Sequence, residues 1–141
     1  MKLQKLISRL QQKHPKKIDL TIERTFNLLK KLGNPQDKLN NVISVVGTNS
    51  KYSICQSLKA ILNEEGYKCN LYLSPHLQSY TERFVYKDDE ISEEILINLL
   101  EDVEKVLGDS PATLFEILSC AYLKHCEEFK DNITLIEAGL F

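Results

Sequence analysis

Apolar residues recur along this chain with two different periods, and the order of these periods predicts the fold class. Short, nearly continuous apolar runs typical of buried strands occupy residues 42–46, 69–73 and 133–137. Between these runs, apolar residues recur every three or four positions, as they do on one face of a helix. Strands that alternate with helices favour a parallel sheet covered by helices. The pattern therefore predicts an α/β domain.

The same pattern predicts which residues the helices bury and where the helices begin. The expected apolar faces contain Leu3, Leu6, Ile7 and Leu10; Ile22, Phe26, Leu29 and Leu32; Ile54, Leu58, Ile61 and Leu62; and Ile95, Leu96, Leu99, Val103 and Val106. Asp19 and Ser92 are expected N-caps, while Thr113 and Glu116 have the spacing of a capping box. Residues 74–90 are predicted to form a long polar loop.

Three polar segments follow the predicted strands and mark the candidate site. They comprise residues 47–53, 74–76 and 137–139. In parallel α/β sheets, ligands bind beyond the carboxyl ends of the strands. We therefore expect the three segments to converge on one crevice.

The first of these segments is a candidate phosphate-binding loop. It consists of Gly47, Thr48, Asn49 and Ser50, followed by Lys51 at the start of a predicted helix. Loop N–H groups and a helix N-terminus attract anions, and a lysine adds a full positive charge. The spacing is not that of a Walker A loop. On spacing alone, a ligand-binding loop and an ordinary turn are equally compatible with these residues.

Oxygen-bearing side chains at the other strand ends are candidate metal ligands. Ser74 and Glu137 would suit Mg²⁺, which favours one or two protein oxygens together with phosphate and water. Alternatively, Ser74 caps a turn and Glu137 is simply a polar strand end; the cost of burying an unpaired acid favours a function for Glu137. His76 is expected to have a structural role, such as a bond to the backbone. Glu82 and Arg83 form either a surface pair or a carboxylate clamp.

Composition narrows the class of protein. The chain has 141 residues, of which 43% are hydrophobic and 27% charged, and a net charge of -2. These values are ordinary for a globular protein and argue against a general nucleic-acid or membrane-surface binder. The four cysteines lack Cys-x-x-Cys spacing and suit a reducing compartment. Because neither a signal peptide nor a membrane-spanning run is apparent, a cytoplasmic location is expected.

Several short motifs occur together in an order that resembles one known family. They are Ile18-Asp-Leu-x-x-Glu-Arg24, the Gly-Thr-Asn-x-Lys loop, Gly66-Tyr67, Leu71-Tyr-x-Ser-Pro-His-Leu77, Tyr80-Thr-Glu-Arg83, Thr113-x-Phe-Glu116 and Ile136-Glu-x-Gly-Leu140. As an ordered set they closely resemble the N-terminal part of folylpolyglutamate synthase/dihydrofolate synthase, a relative of the Mur ligases. The resemblance covers nearly the whole chain. It implies a partial three-layer, parallel-sheet nucleotide-binding domain of the P-loop type.

The resemblance also implies an activity and a set of site residues. Members of this family use ATP and Mg²⁺ to join L-glutamate to a folate or dihydropteroate through an acyl phosphate. By resemblance, the ATP phosphates would contact Gly47, Thr48, Asn49, Ser50, Lys51 and Ser53, with Lys51 also catalytic, and Mg²⁺ would be held by Ser74 and Glu137. The folate or dihydropteroate would contact Gln12, Lys13, His14 and Pro15, Arg83, and Thr113, Leu114, Phe115 and Glu116.

The chain departs from the family pattern at two places. The family loop reads Gly-Thr-Asn-Gly-Lys-Gly-Ser, whereas Ser50 and Tyr52 occupy the last two glycine positions here. If position 50 requires a positive φ, a serine there costs about 1–2 kcal/mol. By resemblance, the family's continuation after Leu140 and its C-terminal glutamate-binding domain are expected to be absent. Residues 1–141 are thus expected to be an incomplete N-terminal ATP-binding domain, with residues 133–136 as an open apolar sheet edge.

Two hypotheses about function follow. The first is a ligase homologue that is impaired or inactive alone and is completed by a complementing C-terminal chain. The alternative is a non-catalytic remnant that binds at most a nucleotide or a folate. A self-contained P-loop NTPase fits less well, because the loop has the wrong spacing and the predicted sheet is too small.

Overall fold

A computed structural model describes residues 2–15, 19, 21–76 and 78–138. The chain forms two compact units. Residues 1–38 and 92–125 form one, called the helical unit here, and residues 39–91 and 126–141 form the other, called the sheet unit. Five of the motif residues lie outside the described residues, namely Ile18, Leu20, Leu77, Gly139 and Leu140.

Five helices and five strands make up the described chain. In order, the helices are α1 (Lys2–Gln11), α2 (Glu23–Lys31), α3 (Lys51–Glu64), α4 (Glu93–Leu107) and α5 (Leu114–Cys126), and the strands are β1 (Asn41–Val45), β2 (Cys69–Tyr72), β3 (Phe84–Tyr86), β4 (Asp89–Glu90) and β5 (Ile133–Glu137). Short 3-10 turns occur at Pro35–Lys38, Tyr80–Arg83 and Glu127–Phe129. None of the described helices is long and apolar enough to cross a membrane.

In the helical unit, α1 and α2 pack on α4. The buried side chains of α1 are those predicted, while α2 and α4 bury a shifted set: Leu28, Leu29, Leu96, Leu100, Val103 and Leu107. The prediction was wrong for Ile22, Phe26, Ile95 and Val106, which are exposed. In α4 the buried residues are spaced by three or four, so Ile95 and Val106 fall beside this stripe rather than on it.

The helix starts were predicted with one error. The Ser92 Oγ accepts the Ile95 N–H at 3.2 Å, as expected for an N-cap. Asp19, in contrast, does not cap α2: Ile22 occupies the N-cap position and makes no side-chain cap bond. The Asp19 carboxylate instead lies 3.4 Å from a guanidinium nitrogen of Arg24, so an acid with the right spacing for a cap serves as an ion-pair partner.

The sheet has the order β1-β5-β2-β3-β4 and is mixed rather than wholly parallel. Strands β1, β5 and β2 are parallel, with Val45 opposite Glu137 and Tyr72 opposite Ile136. Strands β3 and β4 form an antiparallel hairpin within the segment predicted to be a polar loop. Its turn residues, Lys87 and Asp88, have φ angles of 48° and 70°. Because neither is the glycine that usually marks such a turn, the sequence pattern missed the hairpin.

The sheet edge differs from the one expected. Strand β5 lies between β1 and β2, so the prediction that residues 133–136 form the open edge was wrong. Strand β1 occupies that edge, and its first four residues are exposed rather than buried. An edge strand leaves one row of backbone N–H and C=O groups without ladder partners. Strand order in a parallel sheet is a long-range property, which chain order alone does not specify.

Helix α3 covers one face of the sheet unit. Cys55 is buried in a core cluster with Val45, Cys69, Leu71 and Leu135, against which Leu58 and Leu62 also pack. Ile54 and Ile61, expected on this face, are instead exposed. The helix therefore presents apolar side chains on two sides, of which one packs on the sheet.

The capping box at the start of α5 is confirmed, and it generates a stability prediction. The Glu116 N–H donates to the Thr113 Oγ1 at 3.2 Å, and the Thr113 N–H donates to a Glu116 carboxylate oxygen at 2.9 Å. We expect Thr113→Ala to lower the free energy of unfolding by about 1 kcal/mol, because a helix N–H loses its acceptor. Urea unfolding followed by circular dichroism measures this. Thr113→Ser keeps the hydroxyl, and an equal loss in both variants would contradict the role of the cap.

Candidate functional site

The carboxyl ends of the parallel strands form one edge of the sheet unit. Strand β5 ends at Glu137, and Ser74 lies just beyond the end of the neighbouring β2. The Ser74 N–H donates to the Glu137 Oε2 at 3.3 Å. Strand β1, the other neighbour of β5, leads into residues 46–50 at the same edge. The expected convergence of Ser74 and Glu137 is thus present, and the loop starts beside them.

A cavity of about 480 Å³ adjoins these strand ends. Its lining residues all belong to the sheet unit: Tyr52, Gln56, Leu73, Ser74, Pro75, Glu82, Val85, Glu90 and Glu137. Among these described residues there are three carboxylates and no basic side chain. The cavity therefore has an apolar wall and a negative charge, and it favours a cation over a bare anion.

Glu137 is the most unusual of the three carboxylates, because its side chain is only 6% exposed. Within the described residues, its Oε1 has no hydrogen-bond partner, and its Oε2 has only the long bond from Ser74. Its charge also affects Cys55: burial first, and then the Glu137 carboxylate, raise the pKa of the Cys55 thiol to about 11. A largely buried carboxylate with few hydrogen-bond donors is costly unless a positive charge joins it.

The donor set at this point fits a divalent metal that takes its other ligands from elsewhere. The Ser74 hydroxyl and the Glu137 carboxylate are hard oxygen donors, as Mg²⁺ and Mn²⁺ prefer. Across the described residues, no cluster of three or more His, Cys, Asp or Glu side chains is arranged to hold a metal ion. Two protein oxygens together with phosphate and water are the usual set for Mg²⁺ at a nucleotide.

The loop between β1 and α3 leads directly into a helix N-terminus, the position at which helices attract anions. Gly47 has φ 146°, which only glycine adopts readily. Thr48, Asn49, Ser50 and Ser53 are exposed, so the groups at the start of α3 are accessible. Lys51 is the first residue of α3, and its Nζ donates to the Gly47 carbonyl at 2.9 Å. The lysine is thus folded back onto the loop.

Both departures from the family loop have structural consequences. Ser50 has φ 61°, the left-handed conformation that favours glycine, and its side chain makes no capping bond to α3. Position 50 therefore has the positive φ at which a serine is strained. Tyr52 is 57% exposed and lines the cavity beside Ser74 and Glu137. Its ring adds bulk where a glycine would leave the cavity open.

The residues expected to contact the folate or dihydropteroate, apart from Arg83, lie in the helical unit. Gln12, Lys13, His14 and Pro15 follow α1, and Thr113, Leu114, Phe115 and Glu116 begin α5. The Lys13 Nζ donates to the Gly108 carbonyl at 3.2 Å. Leu114 and Phe115 are half-buried. The two segments are linked through an ion-pair network.

Arg24 is the centre of that network, and sequence reasoning did not include it among the site residues. Its Nε and a terminal nitrogen donate to the two carboxylate oxygens of Glu116 at 3.1 and 2.8 Å. Another terminal nitrogen lies 3.4 Å from Asp19, which in turn lies 3.5 Å from the His14 Nε2. The motif that contains Arg24 was the available signal, but only the fold shows its partners.

Arg83 lies in the sheet unit and is bound to a neighbouring side chain. Its Nε donates to the His76 Nδ1 at 2.8 Å, so His76 bonds to a side chain rather than to the backbone. Burial, followed by the positive charge of Arg83, lowers the pKa of His76. One of the Glu82 carboxylate oxygens accepts the N–H groups of Gln78 and Ser79 at 2.9 Å each.

Known proteins with similar sequences include dihydrofolate synthases and folylpolyglutamate synthases. The chain is 34% identical over 134 residues to the dihydrofolate synthase/folylpolyglutamate synthase of Escherichia coli, covering 95% of this chain and 32% of the relative. It is 32% identical over 126 residues to the dihydrofolate synthetase of Saccharomyces cerevisiae, covering 87% and 29%. No protein-family model matches the chain.

Solved structures give the same result. Escherichia coli FolC in complex with DHPP and ADP superposes with a TM-score of 0.91 at 33% identity, covering 98% of this chain and 33% of that one. The Yersinia pestis bifunctional folylpolyglutamate synthase/dihydrofolate synthase, complexed with AMPPNP and Mn ion, gives 0.88 at 30% identity, with the same coverage of both chains. The chain thus spans about a third of the length of the relatives that it matches.

The strained backbone at position 50 yields a test of the loop geometry. We expect Ser50→Gly to raise the free energy of unfolding by about 0.5–1 kcal/mol, because relief of the left-handed strain exceeds the extra entropy of glycine in the unfolded chain. Urea unfolding measures the change. Ser57→Gly, at an exposed position inside α3, is the matched control and should instead destabilise by about 0.5 kcal/mol. Destabilisation by both substitutions would rule out strain at Ser50.

Proposed function

The chain is a homologue of the folylpolyglutamate/dihydrofolate synthases over about a third of their length, and from this premise we propose that its sheet unit binds Mg-ATP. In this proposal, the bound ATP is used to join L-glutamate to a folate or dihydropteroate. The observation that carries the proposal is the buried Glu137 carboxylate beside Ser74, at the sheet edge where the Gly47–Ser50 loop begins. The four buried free cysteines suit the reducing cytoplasm.

Each residue of the site has a task in this proposal. The N–H groups of residues 48–50 and the N-terminus of α3 bind phosphate oxygens. Lys51 exchanges the Gly47 carbonyl for a phosphate oxygen, which a flexible four-carbon side chain can do at small cost. Ser74 and Glu137 would hold Mg²⁺, whose charge would neutralise that of the phosphates, while Glu82 and Glu90 keep the cavity negative and would attract the cation. Phosphoryl transfer depends mainly on such positioning and charge neutralisation.

The two loop departures weaken the site in this proposal. The left-handed conformation of Ser50 costs about 1–2 kcal/mol. The part of this cost that the free loop avoids by leaving that conformation is incurred again on binding, and the whole of it would correspond to roughly a tenfold loss of nucleotide affinity. Tyr52 narrows the cavity next to the metal ligands. The second candidate function, a non-catalytic remnant that binds a nucleotide or folate weakly, is favoured by these same two residues.

We also propose that a further segment of protein completes the sheet along β1, either as a continuation of this polypeptide or as a second chain. The outer edge of β1 is open, and Val42, Ile43 and Val46 around it are exposed, the last by 74%. The relatives are about three times as long as the region that they share with this chain. A strand added at β1 would cover these apolar residues, and the added segment would supply the glutamate-binding part of the enzyme.

Isothermal titration with Mg-ATP tests the nucleotide site. We expect measurable binding by the wild-type chain and its loss in Lys51→Ala and in Glu137→Gln, because each removes a charge that contacts the phosphates or the metal. The double variant Ser50→Gly, Tyr52→Gly should bind about tenfold more tightly. Lys59→Ala, two turns further along α3, is the matched control. If a folded wild-type chain does not bind, or if all variants bind equally, the proposed nucleotide site is wrong.

The completing segment is tested by supplying the unmatched remainder of the Escherichia coli relative as a separate, co-expressed chain. The Val45 carbonyl accepts from Ala138, so Val45 faces β5 and Ser44 directs its N–H outward. Ser44→Pro removes this outward donor and leaves the ladder to β5 intact. We expect co-purification with the wild-type chain and with Ser44→Thr, and its loss with Ser44→Pro. Equal recovery with all three would exclude strand addition at β1.

A further inference from the structure

Arg83 is held by two side chains of its own segment. Besides the bond of its Nε to the His76 Nδ1, its guanidinium carbon lies 5.2 Å from the centre of the Tyr80 ring. The rings of His76 and Tyr80 are themselves 4.2 Å apart. An arginine fixed at Nε and packed against an aromatic ring loses little further rotamer freedom when it binds a ligand.

Because the Nε donates to His76, the two terminal nitrogens of this guanidinium are the groups that can donate to a ligand. Among the residues that the structure describes, they have no hydrogen-bond or ion-pair partner. Two terminal N–H groups in a fixed plane match the two oxygens of a carboxylate.

The backbone of Arg83 lies next to residues that line the cavity, while its own side chain is not part of the lining. The Leu73 N–H donates to the Arg83 carbonyl at 3.0 Å, which fixes the Arg83 backbone beside the end of β2, one residue before Ser74. The cavity lining contains Glu82, Glu90 and Glu137. These carboxylates would repel the carboxylate of a substrate. Binding of that substrate would therefore require a positive charge in addition to that of any metal held by Glu137.

We propose that His76 is a positioning residue that holds the Arg83 guanidinium ready to pair with the carboxylate of the substrate. The proposal rests on the proposed function, since it takes the substrate to be the carboxylate-bearing pterin that the ligase activates. Tyr80 supports the same arrangement through its ring. Arg83 makes the contact, and His76 acts only through it.

Binding of pteroate, a stable carboxylate-bearing pterin, tests the proposal in three chains. His76→Leu removes the acceptor, while His76→Asn places an amide oxygen near the position of the Nδ1. We expect His76→Leu to bind pteroate about tenfold more weakly and His76→Asn to bind nearly as well as wild type, because only the first frees the guanidinium. Protection of Arg83 from phenylglyoxal by pteroate, read by mass spectrometry, should be lost in the same variant alone.

Binding of two further ligands shows which anion Arg83 contacts and distinguishes a failure of this proposal from a failure of the proposed function. 6-Methylpterin lacks the carboxylate and should bind the three chains equally, and Mg-ATP affinity should be unchanged in His76→Leu. Weakened Mg-ATP binding with unchanged pteroate binding would show that the fork serves a phosphate and would overturn the carboxylate assignment. Normal Mg-ATP binding with equal pteroate binding in all chains, or no pteroate binding by wild type, would overturn the role of His76 while leaving the nucleotide site intact.

Discussion

The pairing of β5 with both β1 and β2 is the constraint on which the candidate site depends. Because the three strands are parallel, their carboxyl ends fall at one edge, and the register places Glu137 opposite Val45. Ser74, two residues beyond Tyr72, then reaches the Glu137 carboxylate. Without β5 in the centre, the loop after β1 and the turn after β2 would not begin beside the same acid. The order of strands thus creates the site, and the side chains specify its chemistry.

Local signals in the sequence were sufficient for most elements but not for their arrangement. The apolar runs gave three strands, and Ser92 and the Thr113–Glu116 pair gave two helix starts, because caps depend on residues three apart. The hairpin of β3 and β4 was missed, since Lys87 and Asp88 adopt a turn that sequence patterns associate with glycine or asparagine. The exposed edge was assigned to β5 instead of β1, because an apolar strand has the same sequence pattern whether it is covered or not.

The candidate site shows the same division. The convergence of Ser74, Glu137 and the Gly47–Lys51 loop at one sheet edge was predicted, since strand ends and loop composition mark these segments. The bonds from Arg83 to His76 and from Arg24 to Glu116 were not predicted. They join residues 7 and 92 positions apart, and no local pattern specifies which polar side chains will meet. In both cases an arginine holds its partner through the Nε, which a list of candidate residues cannot show.

In the proposed nucleotide site, the loop substitutions and the acidic cavity would affect nucleotide binding in opposite directions. In the proposed site, the carboxylates of Glu82, Glu90 and Glu137 would attract a divalent cation, and that cation would attract the phosphates, so the residues proposed for the metal are present in this chain. Ser50 and Tyr52 would act on phosphate binding, through backbone strain and through bulk. Their combined penalty, on the order of a factor of ten in affinity, is small compared with the loss of a buried charge. The two loop substitutions are therefore expected to weaken nucleotide binding at the proposed site, whereas loss of Glu137 is expected to abolish it.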